Sequence, residues 1–486
     1  MPRLRRSILT LVACVIALGS TSTLAQRAPQ AAASTFFGFY AWNASNGVSS
    51  ADIQAVRQVG GGRVQVLIDW YRIEPTIWHN DSGFNGVLIA PVDQAMTDIV
   101  NAGLEPVLLI ANPPPWAVAT PDTQGPILAS ARSRYIMFVR RIVERYGAAP
   151  FNARYIVLAP EPDARGTCAS APNHAAWGDV PSEFATLLAQ TYAAVKADNS
   201  AIQIIPGAFA YDYFGGAGAP GFNGGGCFNY TFIDSLLAAG AASYFDVFAF
   251  NAYAVFSPGW EANSTGYDVA AKAAYLRARF PTLASKPFMV LEAGVWSDAS
   301  VAVPVRNADG STASVIPDQV WQAGYAGKLL ARALSANIST VLWYGLRDAS
   351  GDVQRGMYDQ SGQAKRLYTA LQQATSRLRS TTYLSTLSTR GNADGAVEGY
   401  LFSTTSGGRM AVLWAVGGGG ASATTTFDLV GGSIRAFDFE GSGAANYQVS
   451  GDAVTITVGP TPMYVVTGQT TLRTFIPVSP RLSGNL

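Results

Sequence analysis

Two glutamates stand at positions where a carboxylate has no structural purpose. Glu292 closes the apolar run Phe288–Glu292, whose unbroken hydrophobicity is typical of a buried parallel strand. Burying an unpaired carboxylate costs several kcal/mol, so a core strand does not normally end on one. Glu161 follows a second apolar run, Arg154–Ala159. A pair of carboxyl groups at strand ends can perform acid–base and nucleophilic chemistry.

The elements that position these glutamates alternate regularly between strands and helices. Eight apolar runs are each followed by an amphipathic stretch. Helix signals flank these stretches: Ser49 precedes the first predicted helix, and Gly147 follows the predicted helix that ends at Tyr146. We therefore predict an α/β fold, a (β/α)8 TIM barrel over residues 35–378. The alternative, a doubly wound open sheet, more often shows a Gly-rich phosphate fingerprint at its first strand, and the sequence has none. The predicted strands are Phe36–Tyr40, Arg63–Asp69, Pro106–Ile110, Arg154–Ala159, Ile202–Ile205, Val247–Phe250, Phe288–Glu292 and Thr340–Trp343.

The pattern changes after the last predicted helix. Short alternating runs separated by turn signals such as Gly407-Gly408 predict an all-β domain, a sandwich, over residues 379–470. Residues 471–486 form a poorly patterned tail. The β-domain shows no row of exposed aromatic residues, so we expect it to buttress the barrel rather than bind carbohydrate.

The N-terminus is typical of a secretory signal. Three arginines precede the apolar core Ile8–Leu18, which is too short to span a bilayer, and cleavage is expected after Ala25. Residues 26–34 would then be a linker. A bacterial lipoprotein box at Cys14 is the competing interpretation. Either way the protein is expected outside the cytoplasm, secreted or periplasmic.

Composition excludes several classes of partner. Hydrophobic residues make up 49% and charged residues 13%, so the chain folds around a large core. Lys+Arg is 33 and Asp+Glu is 32, with no charged block that would indicate nucleic acid. No later segment has the length of a transmembrane helix.

The cysteines and histidines predict a disulfide and no metal site. Cys168 and Cys227 remain after signal cleavage, and an even pair in an exported protein indicates a bridge, although two free thiols are the alternative. His79 and His174 are too few and too far apart for a metal site or a Ser–His catalytic pair. The chemistry implies no cofactor.

Polar and aromatic residues gather at the predicted strand ends, which is where TIM barrels carry their active sites. Sugar rings stack on aromatic faces, and sugar hydroxyls bind amides and carboxylates, so this set favours a carbohydrate substrate. The candidate substrate-binding residues are Trp42, Asp69, Trp70, Asn112, Trp116, Asn251, Tyr253, Trp296 and Trp343.

Two carboxyl groups across such a barrel mouth can cleave a glycosidic bond. One donates a proton to the leaving oxygen, and the other, ionised, attacks the anomeric carbon. A separation of about 5–5.5 Å between the carboxyl groups gives retention of configuration, and about 6.5–9.5 Å gives inversion.

The motifs around both glutamates resemble those of clan A glycoside hydrolases, nearest in layout to family 39. The matching segments are Leu158-Ala159-Pro160-Glu161-Pro162, Val290-Leu291-Glu292-Ala293-Gly294, Asp69-Trp70, Asn112 to Trp116, Asn251 with Tyr253, and Trp343. The resemblance implies a retaining hydrolase with Glu161 as general acid/base and Glu292 as nucleophile. It also implies that Tyr253 hydrogen-bonds the nucleophile, and a trailing β-sandwich is common in the family.

One position departs from the family pattern. The family places an Asn directly before the acid/base, where it binds the 2-hydroxyl of the cleaved sugar, and this chain has Pro160. Proline offers neither a side-chain donor nor a backbone N–H. Another group performs this task, the substrate differs at that carbon, or turnover is weak. The last case defines the alternative function, a carbohydrate-binding pseudoenzyme.

Overall fold

The structure is a computed structural model. It describes residues 34–77, 84–166, 175–210, 226–253, 268–298, 302–351, 353–444 and 446–468, and the side chains of residues 41–43 and 45 lie outside this description. The predicted signal segment and C-terminal tail also lie outside it. In the described ranges, no helix has the length and apolar character needed to cross a membrane.

Nine parallel strands form the barrel sheet. They are β1 (Phe37–Asn43), β2 (Arg63–Asp69), β3 (Glu105–Ala111), β4 (Tyr155–Val157), β5 (Gln203–Ile205), β6 (Ala208–Phe209), β7 (Phe248–Ala252), β8 (Phe288–Ala293) and β11 (Ile338–Tyr344), while β9 (Val303–Arg306) and β10 (Thr312–Val315) form a separate hairpin. The sheet order is β5-β4-β3-β2-β1-β11-β8-β7-β6. β5 and β6 are two halves of the fifth barrel strand, and a bridge from Pro160 to Ala208 joins the end of β4 to β6. The predicted TIM barrel is confirmed.

Apolar side chains pack in two layers, one on each face of the barrel sheet, because successive side chains of a strand point to opposite faces. One layer lies between the strands and the helices and includes Val64, Val66 and Ile68 of β2. At the amino end of the barrel, buried Arg63 pairs with Glu105 at 2.6 Å. The second layer fills the inside of the barrel with Val107, Leu109, Val157, Ile205, Ala249, Met289, Leu291 and Leu342.

The helices begin where the sequence supplies capping side chains. Ser49 Oγ accepts a hydrogen bond from the N–H of Asp52 (3.1 Å), and Asp318 accepts one from the N–H of Trp321 (2.7 Å). The helices are α1 (Ser50–Gln58), α2 (Trp70–Ile73), α3 (Gly86–Asn101), α4 (Arg132–Tyr146), α5 (Pro181–Asp198), α6 (Phe232–Ala238), α7 (Asp268–Arg279), α8 (Gln319–Ser335) and α9 (Arg366–Leu378).

The C-terminal β-domain consists of two antiparallel sheets, as predicted. One has the order β12-β13-β14-β19-β16 and the other β15-β18-β17. The domain contacts the barrel through a buried ion pair, in which Arg332 of α8 donates two hydrogen bonds of 2.8 Å to Glu398 of β13. The strands are β12 (Thr382–Thr386), β13 (Val397–Ser403), β14 (Arg409–Ala415), β15 (Ala423–Asp428), β16 (Ile434–Phe437), β17 (Tyr447–Ser450), β18 (Ala453–Val458) and β19 (Met463–Thr467).

The structure adds elements that the sequence pattern did not predict. The β9–β10 hairpin lies in the long loop after β8, and β6 extends the fifth barrel strand past Pro206-Gly207. Helix α2 and strands β12 and β17 were also missed. β4 is shorter than the predicted run Arg154–Ala159. These segments are too short for a hydrophobic period to develop, and their form depends on tertiary pairing.

Candidate active site

A bulge in β8 aims Glu292 into the mouth of the barrel. Two steps along β7, from Phe250 to Ala252, match three steps along β8, from Val290 to Ala293, and β11 shows the same offset. The residue before Glu292 already faces the inside of the barrel. Strict alternation would therefore turn Glu292 toward the helices, whereas the extra residue lets it face the site.

Glu161 lies in the turn that follows β4. Its backbone φ is 35°, in the left-handed region that residues other than glycine seldom adopt. The N–H of Ala164 donates a hydrogen bond to the carbonyl of Glu161 (3.0 Å) and closes the turn. Such a backbone position costs about 1–3 kcal/mol, and it persists where the surrounding structure enforces it. Here the strained turn presents the half-buried carboxyl group of Glu161 to β7.

The end of β7 contacts both carboxyl groups. Asn251 Nδ2 donates a hydrogen bond to Glu161 Oε1 (3.0 Å), and the Tyr253 hydroxyl donates one to Glu292 Oε2 (2.9 Å). The hydrogen bond predicted between Tyr253 and Glu292 is thus present. Asn251 and Tyr253 are two residues apart, so they share one face of the chain. A single strand end therefore brings the two predicted catalytic residues together.

The two carboxyl groups influence each other electrostatically. Burial first, and then the negative charge of Glu161, raise the pKa of Glu292 from 4.5 to about 8. The hydrogen bond from Tyr253 and the positive charge of Arg355 both lower that pKa. Because the groups interact, they titrate as a pair. One protonated and one ionised carboxyl group is the state that general acid and nucleophilic catalysis require.

Arg355 is a residue of this site that the sequence did not reveal. Its guanidinium carbon lies 4.6 Å from the ring centre of Tyr344 and 6.0 Å from that of Tyr253. Trp343 Nε1 donates a hydrogen bond to the Arg355 carbonyl (2.9 Å). Arg355 belongs to a polar loop without periodicity, so no local pattern marks it.

Tyr40, at the carboxyl end of the barrel, completes an aromatic cluster beside the carboxyl groups. Its ring centre lies 5.1 Å from that of Tyr344, which lies 6.5 Å from that of Tyr253. Burial, followed by the charge of Glu292, raises the pKa of Tyr40 well above its usual value. Tyr40 therefore stays a neutral hydroxyl facing both carboxyl groups.

Asp69 and Asn112 form a hydrogen-bonded group at the ends of β2 and β3. Asn112 Nδ2 donates to Asp69 Oδ2 (3.0 Å), and Gln124 Nε2 donates to Asn112 Oδ1 (3.0 Å). Asp69 Oδ1 also accepts the N–H of Arg72 (3.1 Å), which caps α2. These bonds fix the loops after both strands. Contact of Asp69 and Asn112 with substrate stays a prediction.

The tryptophans predicted to bind sugar differ in how exposed their side chains are. Trp70 is 1% exposed, Trp296 4% and Trp343 0%, whereas Trp116 is half-buried. Stacking on a sugar needs an accessible ring face, so Trp116 is the best placed of these four. The burial of the other three gives no support to their predicted sugar contacts. The side chain of Trp42 lies outside the described structure.

The predicted disulfide would join the loops after the fourth and fifth barrel strands. The N–H of Arg165 donates a hydrogen bond to the carbonyl of Cys227 (2.8 Å), so these loops meet beside the turn that holds Glu161. Cys168 lies outside the described residues, and the Cys168–Cys227 bond stays a prediction.

The described ranges contain no group of His, Cys, Asp and Glu side chains that could hold a metal ion. The histidines considered for this role, His79 and His174, lie outside those ranges.

Solved structures of glycoside hydrolases share this fold. The chain is similar to a family 39 glycoside hydrolase from the gut symbiont Bacteroides cellulosilyticus WH2, with a TM-score of 0.64, 18% identity, and coverage of 90% of this chain and 81% of that one. For a family 30 endoxylanase from Clostridium papyrosolvens C71, the TM-score is 0.58 at 12% identity, with coverage of 90% of this chain and 97% of that one. For a family 51 arabinofuranosidase from Xanthomonas axonopodis pv. citri, the TM-score is 0.55 at 12% identity, with coverage of 91% of this chain and 98% of that one.

No protein-family model matches the sequence, and no curated protein matches it. At identities of 12–18%, the similarity to the solved structures establishes the fold. The architecture implied by the resemblance, a TIM barrel followed by a β-domain, is confirmed. A fold of this kind hosts many chemistries, so the reaction has to be argued from the site.

Proposed function

We propose that the protein is a glycoside hydrolase that cleaves O-glycosidic bonds of a poly- or oligosaccharide with retention of configuration. The observation that carries the proposal is the pair of hydrogen bonds at the end of β7, from Asn251 to Glu161 and from Tyr253 to Glu292. They place two carboxyl groups of different surroundings at the mouth of a barrel whose solved relatives in fold are glycoside hydrolases.

Glu161 acts first as an acid and Glu292 as a nucleophile. The Glu161 carboxyl gives its proton to the glycosidic oxygen while a Glu292 oxygen attacks the anomeric carbon, and the bond to the leaving group breaks. The product is a glycosyl ester of Glu292 and a free alcohol. Glu161 then takes a proton from water, whose oxygen attacks the same carbon and releases Glu292 as a carboxylate.

The shared proton must lie on Glu161 for the first step. Tyr253 donates a hydrogen bond to Glu292, and Arg355 contributes positive charge, so both favour the ionised form of Glu292. Burial of Glu292 opposes them. The proposed mechanism depends on Tyr253 and Arg355 together, since they bias the pair toward the productive distribution.

Asn251 provides the amide that Pro160 does not. Its Nδ2 bonds Glu161, and its Oδ1 is buried without a hydrogen-bond partner among the described residues. A buried carbonyl oxygen without a donor is costly, and a sugar hydroxyl is a donor of suitable size. We assign Oδ1 of Asn251 to a hydroxyl of the sugar that is cleaved.

The remaining substrate contacts are assigned to the half-buried residues Trp116 and Asn112. Trp116 is the proposed stacking ring, and Asn112 would meet a hydroxyl after local rearrangement of its hydrogen bonds, whereas Asp69 is 4% exposed and holds the Asn112 side chain in place. We also propose that the protein is exported, on the evidence of its arginine-rich and apolar N-terminus. N-terminal sequencing of the protein recovered from periplasm or medium tests cleavage near Ala25 against lipidation at Cys14.

Screening the purified protein against a panel of polysaccharides and aryl glycosides tests the proposed activity. NMR of the first product gives its anomeric configuration, which the proposal requires to match that of the substrate. Binding without product across the panel would favour the pseudoenzyme. Inverted product would retain the hydrolase but reject the double displacement.

A further inference from the structure

The loop after β11 is fixed at three consecutive residues, and the middle one is Arg355. The carbonyl of Gln354 accepts hydrogen bonds from the N–H of Ser297 (3.1 Å), from Gln322 Nε2 (3.0 Å) and from Lys365 Nζ (3.2 Å). A carbonyl with three donors is strongly held. The loop after β11 is thereby tied to the loop after β8, which carries Ser297, and to helix α8.

The residue after Arg355 is held as firmly. The N–H of Gly356 donates to Asp348 Oδ1 (2.7 Å). A Cβ at position 356 would lie 2.4 Å from the carbonyl carbon of Arg347, so only glycine allows this close approach of the backbone. The carbonyl of Arg355 itself accepts the Trp343 indole.

A buried ion pair lies beneath this segment. Lys365 Nζ contacts both carboxylate oxygens of Asp348, at 2.9 and 3.2 Å, and the two side chains are 2% and 1% exposed. A buried ion pair contributes little stability on balance, because desolvation offsets the attraction between the charges. Its geometric effect is clear, since Lys365 bonds the carbonyl before Arg355 and Asp348 bonds the N–H after it.

Arg355 therefore has little freedom in its main chain, and its side chain reaches two aromatic rings. The guanidinium lies over Tyr344 at 4.6 Å and near Tyr253 at 6.0 Å, and Tyr253 bonds Glu292. We propose that Arg355 is a positioning residue whose charge favours the ionised form of Glu292, and that the Lys365–Asp348 pair holds Arg355 in place. This inference rests on the proposed role of Glu292 as nucleophile.

Other groups that face Glu292 also affect its ionisation. Glu161, from the turn after β4, opposes ionisation with its negative charge, whereas Tyr253, at the end of β7, donates a hydrogen bond to the carboxylate. Tyr40 of β1 and Tyr344 of β11 are phenols of the same cluster, and burial raises the pKa of Tyr40 well above its usual value. Arg355 is the positive charge that acts on Glu292 among these groups.

The test is a titration of the glutamate side chains by carbon-13 NMR, which needs no substrate. The chain has nine glutamates, and the Glu292→Gln variant assigns the signal of Glu292. Arg355→Met keeps an apolar stem on Tyr344 and removes the charge, so we expect the Glu292 midpoint to rise by about 1 pH unit or more. Arg355→Lys keeps the charge and should keep the midpoint close to that of the wild type.

Arg347→Met is the matched control. Arg347 belongs to the same loop, lies over the ring of Tyr358 at 5.2 Å and pairs with Asp52 of α1. Its loss should leave the Glu292 midpoint unchanged. An unchanged midpoint in Arg355→Met, or an equal rise in Arg355→Lys, would overturn the role given to the charge. Arg355→Gln repeats the measurement if Arg355→Met does not fold.

A Lys365→Met, Asp348→Asn double variant tests the support beneath the loop. It removes both charges together, so no buried ion is left unpaired. We expect the Glu292 midpoint to rise toward that of Arg355→Met, and a folded variant with the wild-type midpoint would overturn the supporting role. In kinetics on any cleaved aryl glycoside, the acidic limb of kcat/KM should move upward with Arg355→Met. If the wild type cleaves no substrate, the proposed function fails. The titration still tests whether the charge of Arg355 shifts the Glu292 midpoint, because it needs no substrate.

Discussion

The surroundings of Glu161 and Glu292 differ in backbone geometry, in hydrogen-bond donor and in neighbouring charge. Glu161 lies in a strained turn and receives a neutral amide from Asn251. Glu292 lies on a bulged strand and receives the hydroxyl of Tyr253 beside the cation of Arg355. The same type of side chain is therefore given two environments.

This difference shows how one strand end can separate two roles. Asn251 of β7 and Tyr253, directly after β7, each bond one of the two carboxyl groups. Environment, rather than residue type, decides which carboxyl group of such a pair carries the proton. Substitution of Asn251 should consequently affect the acid–base role of Glu161, and substitution of Tyr253 the nucleophilic role of Glu292.

The largest effect is expected from Glu292→Gln. Loss of the nucleophile should lower kcat by about 10³-fold or more, because no covalent intermediate forms. The measurement is the turnover of whichever substrate the wild type cleaves. Glu144→Gln, an exposed position on α4, is the control and should retain activity. Full activity in Glu292→Gln would contradict the assignment.

Glu161→Gln should have an effect that depends on the leaving group. General acid catalysis contributes about 10²–10⁴-fold, and a poor leaving group needs it most. We therefore expect a large loss with natural glycosides and a small loss in the first step with dinitrophenyl glycosides. Kinetics over a series of aryl glycosides measure the dependence. A uniform loss across the series would remove Glu161 from the acid role.

Asn251→Ala and Tyr253→Phe should separate the two surroundings. Each removes one hydrogen bond to a carboxyl group of the pair, worth about 0.5–3 kcal/mol, or roughly 2- to 100-fold in rate. Asn251→Ala should lose more with poor leaving groups, as Glu161 variants do. Tyr253→Phe should instead move the acidic limb of kcat/KM upward, because the pKa of Glu292 rises when the hydroxyl is lost. Identical profiles for the two variants would reject the separation.

Deoxy substrates extend the test of Asn251. If Oδ1 of Asn251 accepts a sugar hydroxyl, the wild type should cleave the substrate lacking that hydroxyl more slowly than the normal substrate. Asn251→Ala should cleave the two substrates at similar rates. A deoxy effect of equal size in both proteins, at every position, would show that Asn251 does not contact the sugar.

The smallest effect concerns stability. Glu292 has a pKa of about 8 in the folded protein against 4.5 for an ordinary glutamate, so folding favours its protonated form. The wild type must therefore lose stability as the pH rises from about 4.5 to 8. Glu292→Gln should be more stable than the wild type at pH 8, by a few kcal/mol at most, and about equal to it near pH 4.5. Thermal unfolding at both values measures this, and an equal gain at both would exclude a titration of Glu292 as its cause.

The barrel, and the position of both glutamates at its strand ends, could be predicted from the sequence because their signals are local. The run ending at Glu292 is apolar throughout, and a charge at its end contrasts with its neighbours. β2 was predicted with the bounds that the structure shows, since Arg63–Asp69 lies between clear turn residues. The fifth barrel strand was not, because its second half has two residues and depends on pairing with β7.

The rest of the site depends on packing that a sequence does not display. The bulge in β8 exists only relative to its neighbours, so no residue type marks it. Arg355 is held by Ser297, Gln322 and Lys365 acting through the backbone, and its role follows from their meeting in space. Trp70 and Trp343 show the reverse case, in which a strand-end tryptophan suited to a sugar is buried in the core.

Trapping the covalent intermediate tests the central claim most directly. A dinitrophenyl 2-deoxy-2-fluoro glycoside of a sugar that the enzyme accepts should release one equivalent of dinitrophenolate and leave the fluorosugar on the protein. Mass spectrometry of the digested protein would then locate it. The account predicts that the fluorosugar is esterified to Glu292, with no label on Glu292→Gln. Label on another residue, or retained turnover with no label at Glu292, would contradict it.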